Sequence, residues 1–121
     1  MSAADAFEFD ASERLRTQAL ELPEVEEGSS CVNRAFKAGG KNFAFVGERR
    51  GDCTLRLKLR DALSEVEALA ERQPDRYEVG SGGWTLVVFP PDDPPNADQT
   101  ERWITESYRL LAPKRLSREL G

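Results

Sequence analysis

The stretch Ala35-Phe36-Lys37-Ala38-Gly39-Gly40-Lys41-Asn42-Phe43-Ala44 decides the fold of this chain. Two short segments rich in aromatic and small apolar residues flank its Gly-Gly pair. A two-residue hairpin turn needs positive φ at both central positions, and glycine adopts such angles without steric cost. We therefore predict a β-hairpin with strands over residues 35–38 and 41–46.

The hairpin is predicted to continue into a third strand. A turn over residues 48–52 leads into residues 53–60, where leucines alternate strictly with basic residues. Such alternation is typical of a strand with one buried face and one solvated face. The middle of the chain is therefore interpreted as a β-meander with a basic solvated face.

The segment before the meander is predicted to hold one helix. Asp10 has the spacing of a capping-box residue, and apolar residues then recur at helical intervals until Pro23 ends the pattern. Residues 1–9 are expected to form a flexible tail, and residues 24–30 an acidic turn followed by a loop. A single domain is thus expected over residues 10–121.

The rest of the chain is predicted to alternate between helix and strand. Asp61 is a candidate N-cap for a second helix, which ends before Pro74. A short strand at residues 77–79 and a nearly all-apolar strand at residues 84–89 follow. A third helix then begins near Asn96 or Asp98 and ends before Pro113, and residues 114–120 are predicted as a basic turn. The order α-β-β-β-α-β-β-α predicts an α+β sandwich, in which an antiparallel sheet of about five strands carries helices on one face.

The charges are distributed unevenly along the chain. There are 17 basic and 22 acidic residues, which give a formal net charge of −5. Residues 32–60 nevertheless hold eight basic and two acidic residues, a net charge of +6 between flanks of −6 and −5. A pI near 4.9 argues against a protein that coats nucleic acid with its whole surface. Only one basic region is left as a candidate binding surface.

This basic region is the main candidate for function. Arginine and lysine side chains on a hairpin are able to hold phosphates, and glycine lets a turn approach a phosphate backbone closely. Two alternatives stay open: the charges solvate the sheet and protect its edge strands, or they meet an acidic protein partner. The candidate residues are Arg34, Lys37, Lys41, Arg49, Arg50, Arg56, Lys58, Arg60, Lys114 and Arg115.

The aromatic side chains are expected to build the core. Phe36, Phe43 and Phe45 are predicted to face inward, and Trp84 and Trp103 are interpreted as core anchors. This assignment leaves few rings on the basic face, so the stacking of unpaired bases is not predicted. Contacts to a nucleic acid would then be made to its phosphates.

Catalysis and metal binding find little support in the sequence. Without histidine the chain has no Ser-His or Cys-His pair and no imidazole metal ligand. We therefore expect no enzymatic activity, no metal and no cofactor. The carboxylates of residues 21–27 are chemically able to hold a hard cation, but a solvated surface is the favoured interpretation. They are Glu21, Glu24, Glu26 and Glu27.

The cysteines and the first residues predict a cytoplasmic protein. Cys31 and Cys53 lack the spacing of a metal site and are expected to be reduced thiols, although a disulfide between them is possible. The chain begins without the basic and apolar regions of a signal peptide and has no apolar run of membrane-spanning length. We expect a monomer that makes no contact with a membrane.

Three blocks carry a likeness to a known family. They are Leu22-Pro23-Glu24-Val25-Glu26-Glu27-Gly28, the ten residues 35–44 quoted above, and Ser107-Tyr108-Arg109-Leu110-Leu111-Ala112-Pro113-Lys114. Together with Gly83-Trp84 they give the chain an order and spacing that resembles the MmcQ/YjbR family of small bacterial proteins over about residues 10–118. The chain departs from the family at the glycine-rich residues 80–83.

The resemblance implies both a fold and a function. It implies a CyaY-like (frataxin-like) α+β fold and a DNA-binding role through a double-wing pair of hairpins. None of the blocks has a catalytic pattern, so they specify the fold more than the chemistry. DNA binding through phosphates is thus the leading hypothesis, and a small protein-interaction or ligand-binding module is the alternative.

Overall fold

Strands dominate the middle of the chain in the computed structural model, which describes the backbone of residues 3–30 and 33–120 and the side chains of residues 11–29 and 33–120. The strands are β1 (Val25–Ser30), β2 (Asn33–Ala38), β3 (Lys41–Arg49), β4 (Asp52–Lys58), β5 (Tyr77–Val79) and β6 (Trp84–Phe89). The helices are α1 (Ala3–Leu20), α2 (Leu63–Arg72), α3 (Ala97–Leu111) and α4 (Lys114–Ser117). Short 3-10 turns cover Ser81–Gly83 and Arg118–Leu120.

The strands form one antiparallel sheet in the order β1-β2-β3-β4-β6-β5. The predicted α+β fold is confirmed, with six strands where about five were expected. The additional strand is β1, which occupies much of the segment predicted as an acidic turn and loop. Its sequence, VEEGSS, has little β-propensity, so its pairing with β2 decides its conformation.

The inner face of the sheet carries the hydrophobic core. Leu55 of β4 lies between Val46 of β3 and Val87 of β6, and all three residues belong to this core. Helices α1 and α3 pack against each other and against β3 and β4, while α2 packs against β5. All four helices contribute to the same core, so the fold has a helical layer on a sheet.

The outer face is the side of the sheet turned away from this core. Arg56 of β4 lies there between Phe45 of β3 and Leu86 of β6, and Lys58 lies beside Trp84. None of these five residues is part of the hydrophobic core. The predicted separation of a buried face from a basic face along β4 is therefore confirmed.

Two residues near the end of α3 tie the helices to the sheet and to the segment before β1. The Ser107 hydroxyl accepts the N–H of Lys58 at 2.9 Å and donates to the carbonyl of Phe43 at 2.5 Å. The Tyr108 hydroxyl donates to the carbonyl of Pro23 at 2.8 Å, and its ring meets that of Phe43 edge-on at 5.3 Å. Burial raises the pKa of Tyr108 above its ordinary value, which extends to more alkaline pH the range in which the hydroxyl is protonated and donates. The three blocks of family likeness thus meet at one point of the fold.

The first helix begins earlier than predicted. Helical backbone starts at Ala3, so the capping-box spacing at Asp10 lies inside α1 and residues 3–9 form part of the helix. The early residues include no proline or glycine that would stop a helix from extending toward the N-terminus. Of the two predicted starts of α3, Asn96 is confirmed, because its side chain caps the helix by accepting the N–H of Gln99 at 3.0 Å.

The N-terminus of α2 is capped by a residue far away in sequence. Asp61 is the N-cap predicted from the sequence, but the N-cap residue of α2 in the structure is Ala62. No side chain of α2 itself caps the helix. The carboxylate of Glu106 on α3 instead accepts the N–H groups of Arg60, Asp61 and Ala62 at 2.6, 2.7 and 3.2 Å. This contact joins α2 to α3.

The structure describes one of the two cysteines. Cys53 is buried in β4, and its Sγ accepts a hydrogen bond from the Ser12 hydroxyl at 3.6 Å. Cys31 lies outside the described residues, so the choice between thiol and disulfide stays a prediction. Among the described helices, none is both long and apolar enough to cross a membrane.

Candidate nucleic-acid interface

Four of the ten predicted cations form ion pairs. They are Arg34 with Glu27 at 3.0 Å, Lys37 with Glu26 at 3.9 Å, Arg60 with Asp61 at 3.3 Å and Arg115 with Glu24 at 3.1 Å. Three of the carboxylates belong to β1 and the turn before it, so the acidic flank folds along the edge of the basic meander. These four side chains are the less available part of the predicted site, although exposed ion pairs of this kind are worth only about 0–1 kcal/mol.

The same contacts show what the acidic residues 21–27 do. Glu27 accepts hydrogen bonds from Arg16 at 2.7 Å and from Arg34 at 3.0 Å. The hydrogen bond to Glu27 raises the pKa of Arg16 above its ordinary value. Within the described part of the chain, no three side chains are grouped as a metal site would require. The carboxylates of Glu24, Glu26 and Glu27 are engaged with cations of the protein itself.

The remaining six cations make no ion pair with any side chain that the structure describes. They are Lys41, Arg49, Arg50, Arg56, Lys58 and Lys114. Arg49, Arg50, Arg56 and Lys58 all belong to the β3–β4 hairpin, and we call them the hairpin cations. Arg49, Arg56 and Lys58 share the outer face by their register, and Arg50 stands at the tip. Most of the predicted cations without an ion pair among the described side chains are therefore on one hairpin, although Asp52 is the cross-strand neighbour of Arg49.

Arg50 has a strained backbone at the tip of this hairpin. Its φ is +53°, and that of the following Gly51 is +86°, as in a turn whose two central residues are left-handed. A residue other than glycine costs about 1 kcal/mol in that region. Strained and exposed residues concentrate at functional sites, which favours a binding role for the tip.

The two predicted hairpin turns do not lie together. They stand at opposite ends of β3, whose nine residues separate them by about 26 Å at the usual rise per residue. The Gly39-Gly40 turn also packs against the link between α3 and α4, since a Cβ on Gly39 would come within 2.3 Å of Pro113 Cγ. Glycine is needed there for this close approach as well as for its φ of +60°. The β3–β4 turn is thus the better candidate for contact with a ligand.

Phe45 faces outward, so the prediction that it faces the core is wrong. The pairing of β2 with β3 shifts between Phe36 and Lys37, because Phe36 pairs with Ala44 whereas Lys37 pairs with Asn42. Phe43 is the extra residue of this β-bulge, and both Phe43 and Ala44 are fully buried. The alternation of the strand therefore restarts one residue later and turns Phe45 to the outer face. The one signal of the bulge in the sequence is the run of four consecutive apolar residues at positions 43–46, which breaks the alternation expected of a strand.

Trp84 also departs from its predicted role. Trp103 is fully buried in the core, as predicted, but Trp84 is partly exposed on the outer face. Its ring centroid lies 6.2 Å from that of Phe45, with 51° between the ring planes. Leu86 beside it is also partly exposed. The outer face therefore combines cations with an aromatic pair, a combination that was not predicted.

Comparison with known proteins identifies relatives of this fold. The YjbR family model matches residues 20–110, which include all six strands and the hairpin cations. A crystal structure of the Deinococcus radiodurans protein DR2400, with the family-model domain DUF419, matches with a TM-score of 0.64 and 23% sequence identity. That match covers 88% of this chain and 85% of the other. No curated protein matches the sequence.

Proposed function

This chain belongs to the YjbR family, and on that premise we propose that it binds DNA by holding phosphates with the four hairpin cations. The observation that carries the proposal is the absence of ion pairs at Arg49, Arg50, Arg56 and Lys58 among the described side chains. Four other cations of the basic region are already engaged by carboxylates. The family likeness implies DNA binding through a pair of hairpins, and the β3–β4 hairpin is one of the two hairpins that the sequence predicts.

The chemistry of these side chains suits phosphate. The guanidinium group presents parallel N–H donors that match two phosphate oxygens, and lysine adds a compact charge. Such contacts position a protein on DNA but read no sequence directly. We expect affinity without strong sequence preference, with a dissociation constant of about 10⁻⁴–10⁻⁶ M at physiological salt.

The proposal includes a non-enzymatic role in the cytoplasm. Arg56 and Lys58 lie beside the apolar side chains of the outer face, whereas Arg49 and Arg50 line a cavity with the carboxylates of Asp52, Asp75 and Glu78 without forming an ion pair among the described side chains. None of the features that favour binding requires a bond to be made or broken. A chain with a net charge of −5 also repels nucleic acid at long range. Binding therefore depends on the local field of the hairpin.

A salt titration with two matched variants tests this proposal. One variant is R49Q/R50Q/R56Q/K58Q, and its control is R34Q/K37Q/R60Q/R115Q, so both lose four positive charges. Binding of a labelled DNA duplex is measured by fluorescence anisotropy from low to physiological salt. The first variant should weaken binding strongly and flatten the salt dependence of log K by about 0.9 per lost phosphate contact, whereas the control should change little.

Two results would overturn the proposal. The first is no measurable binding of either duplex or single-stranded DNA by the unmodified protein even at low salt. The second is equal weakening by both variants, because net charge and not the hairpin would then set the affinity. Circular dichroism of each variant shows whether it has kept the fold.

A further inference from the structure

We propose that the outer face binds an unpaired DNA strand, with bases stacked on Trp84 and Phe45 and phosphates held by Arg56 and Lys58. The inference rests on the proposed function and deepens it by naming the form of DNA. It starts from the composition of the outer face. The water-facing side of an antiparallel sheet is normally polar, but here Phe45, Trp84 and Leu86 remain partly exposed on it.

The geometry of the two rings favours stacking. Phe45 is on β3 and Trp84 on β6, and these strands flank β4 at a separation of about 9.6 Å. The ring centroids are only 6.2 Å apart, so the side chains lean toward each other across β4. A tilt of 51° prevents the rings from covering each other as parallel plates would. Both keep surface that a flat base is able to cover.

The cations lie where a stacked strand would place its phosphates. Arg56 is the cross-strand neighbour of both Phe45 and Leu86, and Lys58 is the neighbour of Trp84. Each ring therefore has a cation beside it, and neither cation has an ion pair among the described side chains. A nucleotide offers the matching pair of groups, an apolar ring face and a phosphate.

An unpaired strand fits this surface better than a duplex does. In a duplex the faces of the bases are stacked on one another, so only phosphates, sugars and base edges reach a protein surface. Duplex DNA would use the hairpin cations and leave the rings unused. An unpaired strand uses both, and stacking on aromatic side chains tolerates any base.

The position of the two tryptophans provides a direct readout. Trp103 is fully buried, and its Nε1 donates to Glu65 at 2.8 Å, so a ligand on the outer face does not reach it. Quenching of tryptophan fluorescence by an added oligonucleotide would therefore report on Trp84. We would titrate the protein with oligothymidylate, and separately with a duplex of equal length at the same salt concentration.

The proposal predicts different effects of ring and charge variants. Oligothymidylate should quench the fluorescence of the unmodified protein, and W84F should abolish that quenching. W84A should weaken binding of the unpaired strand about ten-fold, as the loss of one stacked base does, and leave duplex affinity within a factor of about two. R56Q/K58Q should weaken both ligands. Leu20→Ala removes an exposed apolar side chain at the end of α1 and is the matched control.

The outcomes separate this inference from the proposed function. If R56Q/K58Q weakens binding but W84A and F45A bind the unpaired strand like the unmodified protein, stacking is excluded and phosphate binding stands. Equal losses for duplex and unpaired strand in W84A also contradict stacking. If the unmodified protein binds neither ligand at low salt, both proposals fail.

Discussion

Tyr108 shows how one side chain holds distant parts of the fold together. Its ring is buried against Phe43 of β3, and its hydroxyl donates to the carbonyl of Pro23 before β1. Helix α3 thereby fixes both the middle of the sheet and the start of its edge strand. This role is structural, and it explains why a tyrosine serves here better than a phenylalanine would.

Tyr108→Phe should destabilise the protein at neutral pH and flatten its loss of stability in alkali. The lost hydrogen bond should lower the free energy of unfolding by about 1 kcal/mol at pH 7. Because burial raises the pKa of Tyr108 in the folded state, its contribution is complete below pH 10 and declines as the pH rises above it. Urea denaturation at several pH values measures both effects.

The control for this variant is Tyr77→Phe, which removes the other tyrosine hydroxyl of the chain. If the free energy of unfolding of Tyr108→Phe fell with rising pH as steeply as that of the unmodified protein, the raised pKa assigned to Tyr108 would be wrong. Equal destabilisation by the two variants at pH 7 would argue against a special role for the bond to Pro23.

Arg50 should show opposite effects on stability and on binding. Glycine adopts the φ of +53° without strain, so R50G should raise the free energy of unfolding by about 0.5–1 kcal/mol. The same change removes a cation from the tip and should weaken DNA binding. Thermal unfolding and anisotropy on one preparation measure both. A variant that is less stable than the unmodified protein would contradict the strain assigned to Arg50.

At the scale of elements, α2 depends on α3 for its first turn. Its own residues supply no side-chain cap, and the Glu106 carboxylate accepts three backbone N–H groups there. A carboxylate at a helix N-terminus satisfies donors and also opposes the positive end of the helix dipole. The two helices are therefore coupled by electrostatics in addition to their shared apolar core.

Glu106→Ala should lower the free energy of unfolding by about 1–2 kcal/mol, in the range of a lost N-cap. Glu106→Gln should cost less, since the amide oxygen still accepts while the charge is gone. Glu101→Ala, exposed on the same helix, is the control and should have little effect. Urea denaturation is the measurement, and equal effects of Glu101→Ala and Glu106→Ala would contradict the capping role.

Local sequence signals predicted some of these elements and missed others. The Gly39-Gly40 turn, the alternation along β4 and the Asn96 cap were predictable because neighbouring residues determine them. The Glu106 cap was not, because Glu106 is more than 40 residues away from the N–H groups that it accepts. Strand β1 was not, because its residues have little β-propensity and only the pairing with β2 makes them a strand. Phe45 was assigned to the wrong face since a bulge depends on how β3 packs on its neighbour.

For the whole molecule, charge is arranged by layer and by edge. The acidic segment at β1 pairs with cations of α1, β2 and α4, while the hairpin cations in the middle of the sheet are left without such partners among the described side chains. Composition alone could show that a basic segment exists within an acidic chain. It could not show which of its ten candidate side chains are neutralised, because that depends on which acids fold beside them.

The bulge at Phe43 has a consequence for how such a surface arises in evolution. A single codon inserted or deleted near the Gly-Gly turn would exchange the inward-facing and outward-facing positions of β3. A shift of one residue along a strand moves each side chain to the opposite face of the sheet. The outer face could thus gain or lose Phe45 without any substitution at that position. An alignment that places its gap one residue away would compare Phe45 with core residues of a relative. Where the gap is placed in β3 therefore decides whether this ring is counted as structural or as accessible.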